Sequence, residues 1–393
     1  MVIEHRTPPP ASGAWREGDA PGQRRFADLG RVELELGGEL PNVRVAYETY
    51  GTLNADASNA VLVLHALTGD SHLAGPAGRE HPTAGWWEPL LASGAPLDPA
   101  DWFVVSPNVL GGCQGTTGPS SLAPDARPWG SRFPRITVRD QIAVERLLTD
   151  QLGVDAWAAV IGGSMGGMRS LEWAVSFPDA VRSALVVAVG AAATADQIGT
   201  QTAQIHAITA DPKWRGGDYH EAAPGDGPHV GMGVARRVAH LTYRTEIELD
   251  VRFGREAQSG EEPLRYGRYA VQSYLDHHAD KLARRFDAGT YVALTDAMTT
   301  HNVGRGRGGI SAALSTITVP VVVGGVDSDR LYPLRLQEEL AHLIPTADKL
   351  HVIPSPYGHD GFLLEVDAVA GLVRRTLSLS PNIDVRESDS SLA

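Results

Sequence analysis

The sequence predicts an α/β protein with a mostly parallel central sheet that is covered by helices, and with a helical lid inserted between two of its strands. Two observations predict this class: short apolar runs, most of them followed directly by Gly, Pro or Ser, indicate buried strands, and amphipathic helical patterns lie between several of them. Alternating strands and helices favour a parallel sheet. The apolar runs are 60–64, 102–105, 157–161, 184–189, 319–323 and 350–353, and the helical patterns include 140–152, 168–177 and 333–343.

The alternation stops after residue 189, which suggests an insertion. Residues 194–313 are rich in Arg, His, Tyr and Gln at helical spacing and contain Gly-rich breaks, so we expect them to form the lid. Residues 31–193 and 314–379 are then expected to form the core. Residues 1–30 look like a loose arm and residues 380–393 are polar and acidic, so both ends are expected to be flexible.

Composition narrows the classes of function. The 393 residues carry a formal net charge of -13, which disfavours nonspecific binding to nucleic acid or to an anionic membrane. No apolar run reaches the roughly 20 residues that span a bilayer, and residues 1–15 lack the apolar segment of a secretory signal. The single cysteine, Cys113, forms neither an internal disulfide nor a thiolate metal site by itself. We therefore expect a cytoplasmic enzyme.

The strongest motif is G-G-S-M-G-G at residues 162–167, between the apolar run 157–161 and a helical pattern. This is the G-x-S-x-G nucleophile elbow in its strand-turn-helix setting, which is typical of the α/β-hydrolase fold. The turn is so tight that Gly162, Gly166 and Gly167 must lack side chains. Ser164 is therefore predicted to be a nucleophile at a helix N-terminus, where developing negative charge is favoured.

A serine hydroxyl needs a base to take its proton and an acid to orient that base, in the chain order Ser, Asp, His. His359 follows the last apolar run and is the predicted base. Two carboxylates, Asp327 and Asp329, follow the run 319–323, and we favour Asp329. The oxyanion hole needs two backbone N–H donors, which we assign to Met165, directly after the nucleophile, and to Leu67, in the turn after the run 60–64.

Four runs, taken together and in this order, resemble the homoserine O-acetyltransferase family. Besides the elbow they are N-V-L-G-G-C-Q-G-T-T-G-P at 108–119, A-R-R-V-A-H-L-T-Y-R at 235–244 and V-D-S-D-R-L-Y-P at 326–333. The resemblance extends from about residue 34 to residue 377. It implies a cytoplasmic homodimer that transfers the acetyl group of acetyl-CoA to the hydroxyl of L-homoserine, a step toward methionine. Acetyl-CoA is then a co-substrate, and neither a bound cofactor nor a metal is expected.

The resemblance also implies roles for individual residues. It supports Asp329 as the acid, assigns Arg236 and Asp360 to binding the amino acid, and places Tyr243 in the lining of the site. The residues themselves agree, because Arg236 and Tyr243 fall on one face of a helix. An α-amino acid also needs a cation for its carboxylate and an anion for its ammonium group, which Arg236 and Asp360 supply.

Three alternatives stay open. If water reaches the acyl-enzyme as easily as homoserine does, the protein is an esterase or other hydrolase. A different donor or acceptor, such as succinyl-CoA or serine, differs by too little binding energy to be decided from sequence. A non-catalytic binding protein on the same scaffold is disfavoured by the complete set of catalytic residue types.

Weaker features suggest no further site. Cys113 lies in a Gly-rich loop with no base nearby, so we expect it to be buried and structural. The glycines in 304–309 match G-x-G-x-x-G, but no strand precedes them, which argues against dinucleotide binding. We find no phosphate-binding G-K-[ST] loop and no clustered metal ligands in the sequence.

Overall fold

A computed structural model of the chain describes residues 7–380, so the predicted C-terminal tail and the first six residues lie almost wholly outside the described residues. Within this range one eight-stranded sheet has the order β1-β2-β4-β3-β5-β6-β7-β8. The first two pairings in that order are antiparallel and the other five are parallel. The strands are β1 (Arg25–Glu33), β2 (Glu39–Tyr50), β3 (Ala60–Leu64), β4 (Phe103–Pro107), β5 (Ala159–Gly163), β6 (Ala184–Val187), β7 (Val321–Val326) and β8 (Ala347–Ile353).

Helices cover both faces of the sheet. Because successive strand residues point to opposite faces, Val61 and Ile161 share one hydrophobic core with Val373 of the last helix, whereas Leu62 and Val160 belong to a larger core on the other face. The predicted α/β-hydrolase fold class is confirmed. The α-helices are α1 (Val138–Gln151), α2 (Met165–Ser176), α3 (Ala195–Thr209), α4 (His229–Tyr243), α5 (Glu246–Phe253), α6 (Ala270–Ala283), α7 (Ala288–Thr299), α8 (Ile310–Leu314), α9 (Leu334–Leu343), α10 (Gly361–Leu364) and α11 (Val366–Ser378).

The segment between β6 and β7 contains α3 to α8, in the region that the sequence assigns to the lid. Helix α4 lies beside both α3 and α6. The lid is therefore a helical layer inserted between two parallel neighbours of the sheet. Nowhere in 7–380 is a helix both long and apolar enough to cross a membrane.

The N-terminal region differs from the prediction. Strand β1 begins at Arg25, inside the segment 1–30 that we expect to be a flexible arm, so the predicted start of the core at residue 31 is too late. The residues before it are tied down as well: Gly13 N–H donates to Phe286 O of the lid, and Trp15 N–H donates to Cys113 O. Strands β1 and β2 mix buried residues with exposed and half-buried ones, so neither contains the continuous apolar run that indicates the central strands.

Candidate active site

Ser164 occupies the tight turn between β5 and α2. Its backbone has φ 56° and ψ -124°, a conformation that costs energy for any residue with a side chain. Such strain persists only where the surrounding structure enforces it, and here the strand and the helix leave the turn no room to relax. The serine is buried, with 5% of its surface exposed.

The glycines around Ser164 are required by close backbone approach. A Cβ atom at Gly162 would lie 2.1 Å from Gly166 O, and one at Gly166 would lie 2.0 Å from Leu64 O. Gly167 is less tightly enclosed, since a Cβ atom there would lie 3.0 Å from Val187 O. Gly163 is also required, since a Cβ there would lie 2.6 Å from the Phe362 ring, a contact that the motif alone does not reveal.

We expect Gly166→Ala to destabilise the protein by about 1–3 kcal/mol or more, because the new methyl group overlaps a backbone carbonyl that has no freedom to turn away. A matched control is Gly199→Ala in α3, where a Cβ meets no atom within 4 Å. The control should raise the free energy of unfolding by up to about 1 kcal/mol, as alanine does within a helix. Urea unfolding measures both changes, and equal effects of the two substitutions would contradict this role of Gly166.

The structure brings the three predicted triad residues together. His359 Nε2 lies 2.8 Å from Ser164 Oγ, and His359 Nδ1 lies 2.6 Å from Asp329 Oδ2. His359 lies in a single 3-10 turn, 358–360, in the loop after β8, and Asp329 lies in the loop after β7. All three side chains are buried, so a continuous hydrogen-bonded chain runs from hydroxyl to carboxylate.

The two candidate aspartates are distinguished by their partners. Asp329 Oδ1 accepts the N–H groups of Leu331 and Tyr332, which fixes the carboxylate while Oδ2 faces His359. Asp327 Oδ1 instead accepts the N–H of Ser355, and thereby holds the loop after β8 to the loop after β7. Asp329 is therefore the carboxylate that contacts the imidazole.

The pKa of His359 is raised above its ordinary value. Burial lowers it, but the charge of Asp329 and the hydrogen bond that His359 donates to that carboxylate outweigh burial, and Asp360 adds to the effect. A carboxylate on Nδ1 also selects the tautomer in which Nε2 is free to accept a proton from Ser164. This arrangement suits a general base.

The two predicted oxyanion donors lie in segments that pack against each other. The close contact of Gly166 with Leu64 O and His65 O brings the turn after β3 against the first turn of α2. Neither the Leu67 N–H nor the Met165 N–H has a hydrogen-bond acceptor among residues 7–380. Both residues are buried, as expected of donors reserved for a ligand oxygen.

His65, which sequence reasoning left unassigned, fixes the turn that carries Leu67. Its Nε2 accepts the Val109 N–H, so the proton resides on Nδ1, which donates to Ala66 O. Burial and the charge of Arg169 lower its pKa to about 3, so the ring is neutral. Arg169 also holds this turn in place, because its guanidinium donates to His65 O.

Arg236 and Tyr243 lie close to His359. The Arg236 guanidinium lies 5.8 Å from the centre of the Tyr243 ring, which is 5.7 Å from that of His359. Arg236 makes no ion pair within the described part of the chain, and its buried Nε has no partner there. Its Nη1 lies 3.5 Å from Thr68 Oγ1, beside the turn that carries Leu67.

Asp360 is not free to act as a simple counterpart of Arg236. Its Oδ2 lies 3.2 Å from Arg244 Nη1, and Arg244 also forms a closer pair with Glu248 at 2.7 Å. The carboxylate that the resemblance assigns to an ammonium group therefore already has one cation, Arg244, within reach. Arg244 lies at the end of the same sequence run as Arg236. Its contact with Asp360 depends on how the lid packs against the core, so the run does not reveal it.

A second arginine, Arg285, also contacts Thr68 and was missed in the sequence. Arg285 follows α6 and Arg284 in the chain, and its Nη1 donates to Thr68 O at 2.9 Å. Burial lowers the pKa of Arg285, and the nearby positive charge of Arg236 lowers it further. Two arginines close to one threonine favour a ligand with negative charge.

Comparisons with known proteins agree with this geometry. A family model described as the alpha/beta hydrolase fold matches residues 59–366. A protein named homoserine O-acetyltransferase from Thermobifida fusca is 61% identical over 374 residues, which cover 95% of this chain and 98% of that protein. The chain belongs to the homoserine O-acetyltransferase family. The resemblance inferred from four motifs is thus confirmed, and membership of the family makes the protein an acyltransferase.

Solved structures with this fold include enzymes of different activities. The crystal structure of homoserine O-acetyltransferase from Bacillus anthracis has a TM-score of 0.81 at 26% identity, covering 90% of this chain and 97% of that one. The structure of esterase E22 has the same TM-score and identity and covers 90% and 99% of the two chains. Overall shape therefore does not separate transferases from esterases in this fold, and the separation rests on sequence and on the site.

Proposed function

We propose that the protein transfers the acetyl group of acetyl-CoA to the hydroxyl of L-homoserine, giving O-acetyl-L-homoserine and CoA. The observation that carries the proposal is the hydrogen-bonded chain from Ser164 through His359 to Asp329, in a cleft that also contains Arg236. The product is a precursor of methionine, and we place the reaction in the cytoplasm. Acetyl-CoA serves as a co-substrate, and the proposed chemistry needs no resident cofactor.

The first half of the cycle forms an acyl-enzyme. His359 Nε2 takes the proton of Ser164 Oγ as the serine attacks the thioester carbon. The N–H groups of Leu67 and Met165 stabilise the oxyanion, each being worth roughly 3 kcal/mol in a site of this kind. The C–S bond breaks, the proton passes from His359 to the thiolate, and CoA leaves with the acetyl group on Ser164.

The second half uses the same groups in reverse. His359 takes the proton of the homoserine hydroxyl, the alkoxide attacks the acetyl ester, and the proton returns to Ser164 as the product forms. The cycle is therefore of the ping-pong type. The lid helices keep the cleft dry, which favours the amino alcohol over water as acceptor.

Homoserine is held by its charged end. Arg236, which lacks a carboxylate partner among the described residues, binds the α-carboxylate in our proposal. Asp360 binds the ammonium group through its remaining oxygen, and Arg244 keeps that carboxylate in place. Tyr243 forms the wall between these charges and His359.

We expect Arg236→Ala to lower kcat/KM for homoserine by about 10- to 100-fold, since a hydrogen bond to a charged group is worth about 1.5–3 kcal/mol. Formation of the acyl-enzyme from acetyl-CoA should be nearly unchanged. The control is Arg237→Ala on the same helix, because Arg237 is paired with Asp276 at 2.6 Å. Steady-state kinetics with varied homoserine would contradict the assignment if both variants behaved alike.

The nearest second candidate is an esterase, which the likeness to esterase E22 favours. The deciding experiment follows thiol release from acetyl-CoA with and without L-homoserine and identifies the product. The proposal expects release to depend on homoserine and to yield O-acetylhomoserine. Release at full rate without homoserine would identify a hydrolase instead.

A different donor or acceptor is the remaining alternative within this chemistry. One methylene group more or less on a substrate changes its binding free energy by only about 1–3 kcal/mol. Competing substrates in one mixture therefore reveal the enzyme's preference better than separate assays do. Mass spectrometry of products from equimolar acetyl-CoA and succinyl-CoA, with homoserine and serine together, should show O-acetylhomoserine as the main product.

We also propose that two copies associate through the lid. Val230 and Val251 of the lid are 76% and 84% exposed, and Val234, Leu241 and Ile247 are exposed as well. Apolar groups concentrated on one layer are typical of an interface between subunits. Light scattering after gel filtration should give twice the 41.8 kDa chain mass, and Val251→Glu with Val230→Glu should give the monomer mass.

A further inference from the structure

Three ligand-type side chains meet away from Ser164, although the sequence shows no clustered metal ligands. Glu48 comes from β2, whereas His72 and His81 come from the long connection between β3 and β4. They are 0%, 3% and 6% exposed respectively. Such burial is unusual for a carboxylate and two imidazoles unless they serve one another or a bound ion.

The distances suit a metal ion. One ligand atom from each of the three residues lies within 4.8 Å of the others. His72 Nδ1 is 3.0 Å from Glu48 Oε2, and His81 Nε2 is 3.6 Å from Glu48 Oε1. Ligands at about 2.0–2.1 Å from a tetrahedral Zn²⁺ lie roughly 3.3 Å apart, between these two values.

Unmet hydrogen bonding gives an independent indication. Both ring nitrogens of His81 are buried without a hydrogen-bond partner among residues 7–380. Buried polar atoms almost always have a hydrogen-bond partner, and a bound ion is one explanation for those that have none. The 94% burial of His81 means that bulk water does not provide the missing partner.

We propose that Glu48, His72 and His81 bind a divalent transition-metal ion with the ligand preferences of Zn²⁺. Two imidazoles and one carboxylate form a common protein ligand set for Zn²⁺, with water in the fourth position. The ion replaces the proton that His72 shares with Glu48, and that proton passes to solvent.

The His81 ring must turn for this to happen. The two rings are stacked with centres 3.7 Å apart and planes 8° apart, whereas a coordinating nitrogen directs its lone pair in the ring plane at the metal. Residues 76–80, directly before His81, are all exposed. Movement of this short stretch lets the ring leave the stack and gives an ion access.

Fixed charges of both signs surround the cluster. The carboxylates of Asp70 and Glu48 act on Arg24, and Asp70 also acts on Arg285.

The ion would secure the turn that carries Leu67. Asp70 Oδ1 accepts the N–H of His72, so a metal on His72 ties the end of the segment 65–72 to β2. None of the three ligands contacts Ser164 or His359 within the described structure, so the ion has a structural role and takes no part in acyl transfer.

The test uses the full chain after treatment with a chelator, with Zn²⁺ or Co²⁺ as the probe. Equilibrium dialysis should give one bound ion per chain, and Co²⁺ should show the intense visible absorption of a tetrahedral site. His81→Asn and Glu48→Gln should each weaken binding by at least about 100-fold, more than loss of an outer hydrogen bond does. His206→Asn, an exposed histidine of α3, is the matched control and should bind as the parent does.

Thermal unfolding of the metal-free variants establishes that each one folds. If His81→Asn does not, Glu48→Gln and anomalous scattering from a Zn²⁺-soaked crystal of the parent still locate the ion. Failure of the parent to bind Zn²⁺ or Co²⁺, equal binding by all variants, or an ion found on other residues would each overturn the proposal.

Discussion

Replacing Ser164 by alanine is expected to lower kcat by about 10⁶-fold, because the acyl group then has no hydroxyl to which it can be bound. The remaining rate comes from the oxyanion donors and from positioning of the two substrates, which the substitution leaves intact. Release of CoA in the presence of homoserine measures the effect. Since alanine is smaller than serine, the variant should fold, and near-identical thermal unfolding would show that it does.

A matched control for this substitution is Ser176→Ala at the end of α2, the helix that Ser164 precedes. Ser176 contacts Arg307 and Glu172, far along the helix from His359, so kcat should change little. If Ser164→Ala kept more than about one hundredth of the parent rate, a direct transfer between the two substrates would replace the acyl-enzyme in the mechanism.

Asp329→Asn is expected to lower kcat by about 10⁴-fold, since an amide on His359 Nδ1 favours the wrong tautomer and removes the charge that stabilises the imidazolium. The backbone N–H groups of Leu331 and Tyr332 still have an oxygen to bind, so the loop should keep its place. Asp327→Asn is the control, because that side chain holds Ser355 and does not touch the imidazole.

The pH dependence of the reaction rate also tests the pairing of His359 with Asp329. His359 acts as a base only when neutral, so the rate of the parent falls as the pH falls through a pKa that lies above the ordinary value. In Asp329→Asn the effect of burial remains while the opposing charge is lost, so the acidic limb should move to lower pH. Equal losses in both aspartate variants, or an unmoved limb, would contradict the assignment of Asp329.

The central strands could be predicted because each is buried on both faces and therefore needs a continuous apolar run. Strand β5, 159–163, lies two residues beyond the predicted run, since the motif glycines extend the strand. Strands β1 and β2 could not be predicted in the same way, because the outer antiparallel strands have a solvent face and alternate in polarity. This is why the core begins before the expected boundary.

The catalytic candidates could be predicted because the fold orders them along the chain and places each after a strand. The residues left both Asp327 and Asp329 open, since both follow the same strand two positions apart, and the preference for Asp329 rested partly on the family resemblance. Their partners separate them, and those partners come from the next loop. The pairing of Arg244 with Asp360 and the approach of Arg285 to Thr68 likewise depend on how the lid packs, which no local pattern reveals.

The most direct test of the proposed mechanism is mass spectrometry of the protein after brief exposure to acetyl-CoA without homoserine. We expect one acetyl group per chain, located on Ser164 by peptide mapping, and we expect added L-homoserine to remove it as O-acetylhomoserine. An acetyl group on another residue, or turnover with no acyl-enzyme that homoserine can discharge, would contradict the mechanism.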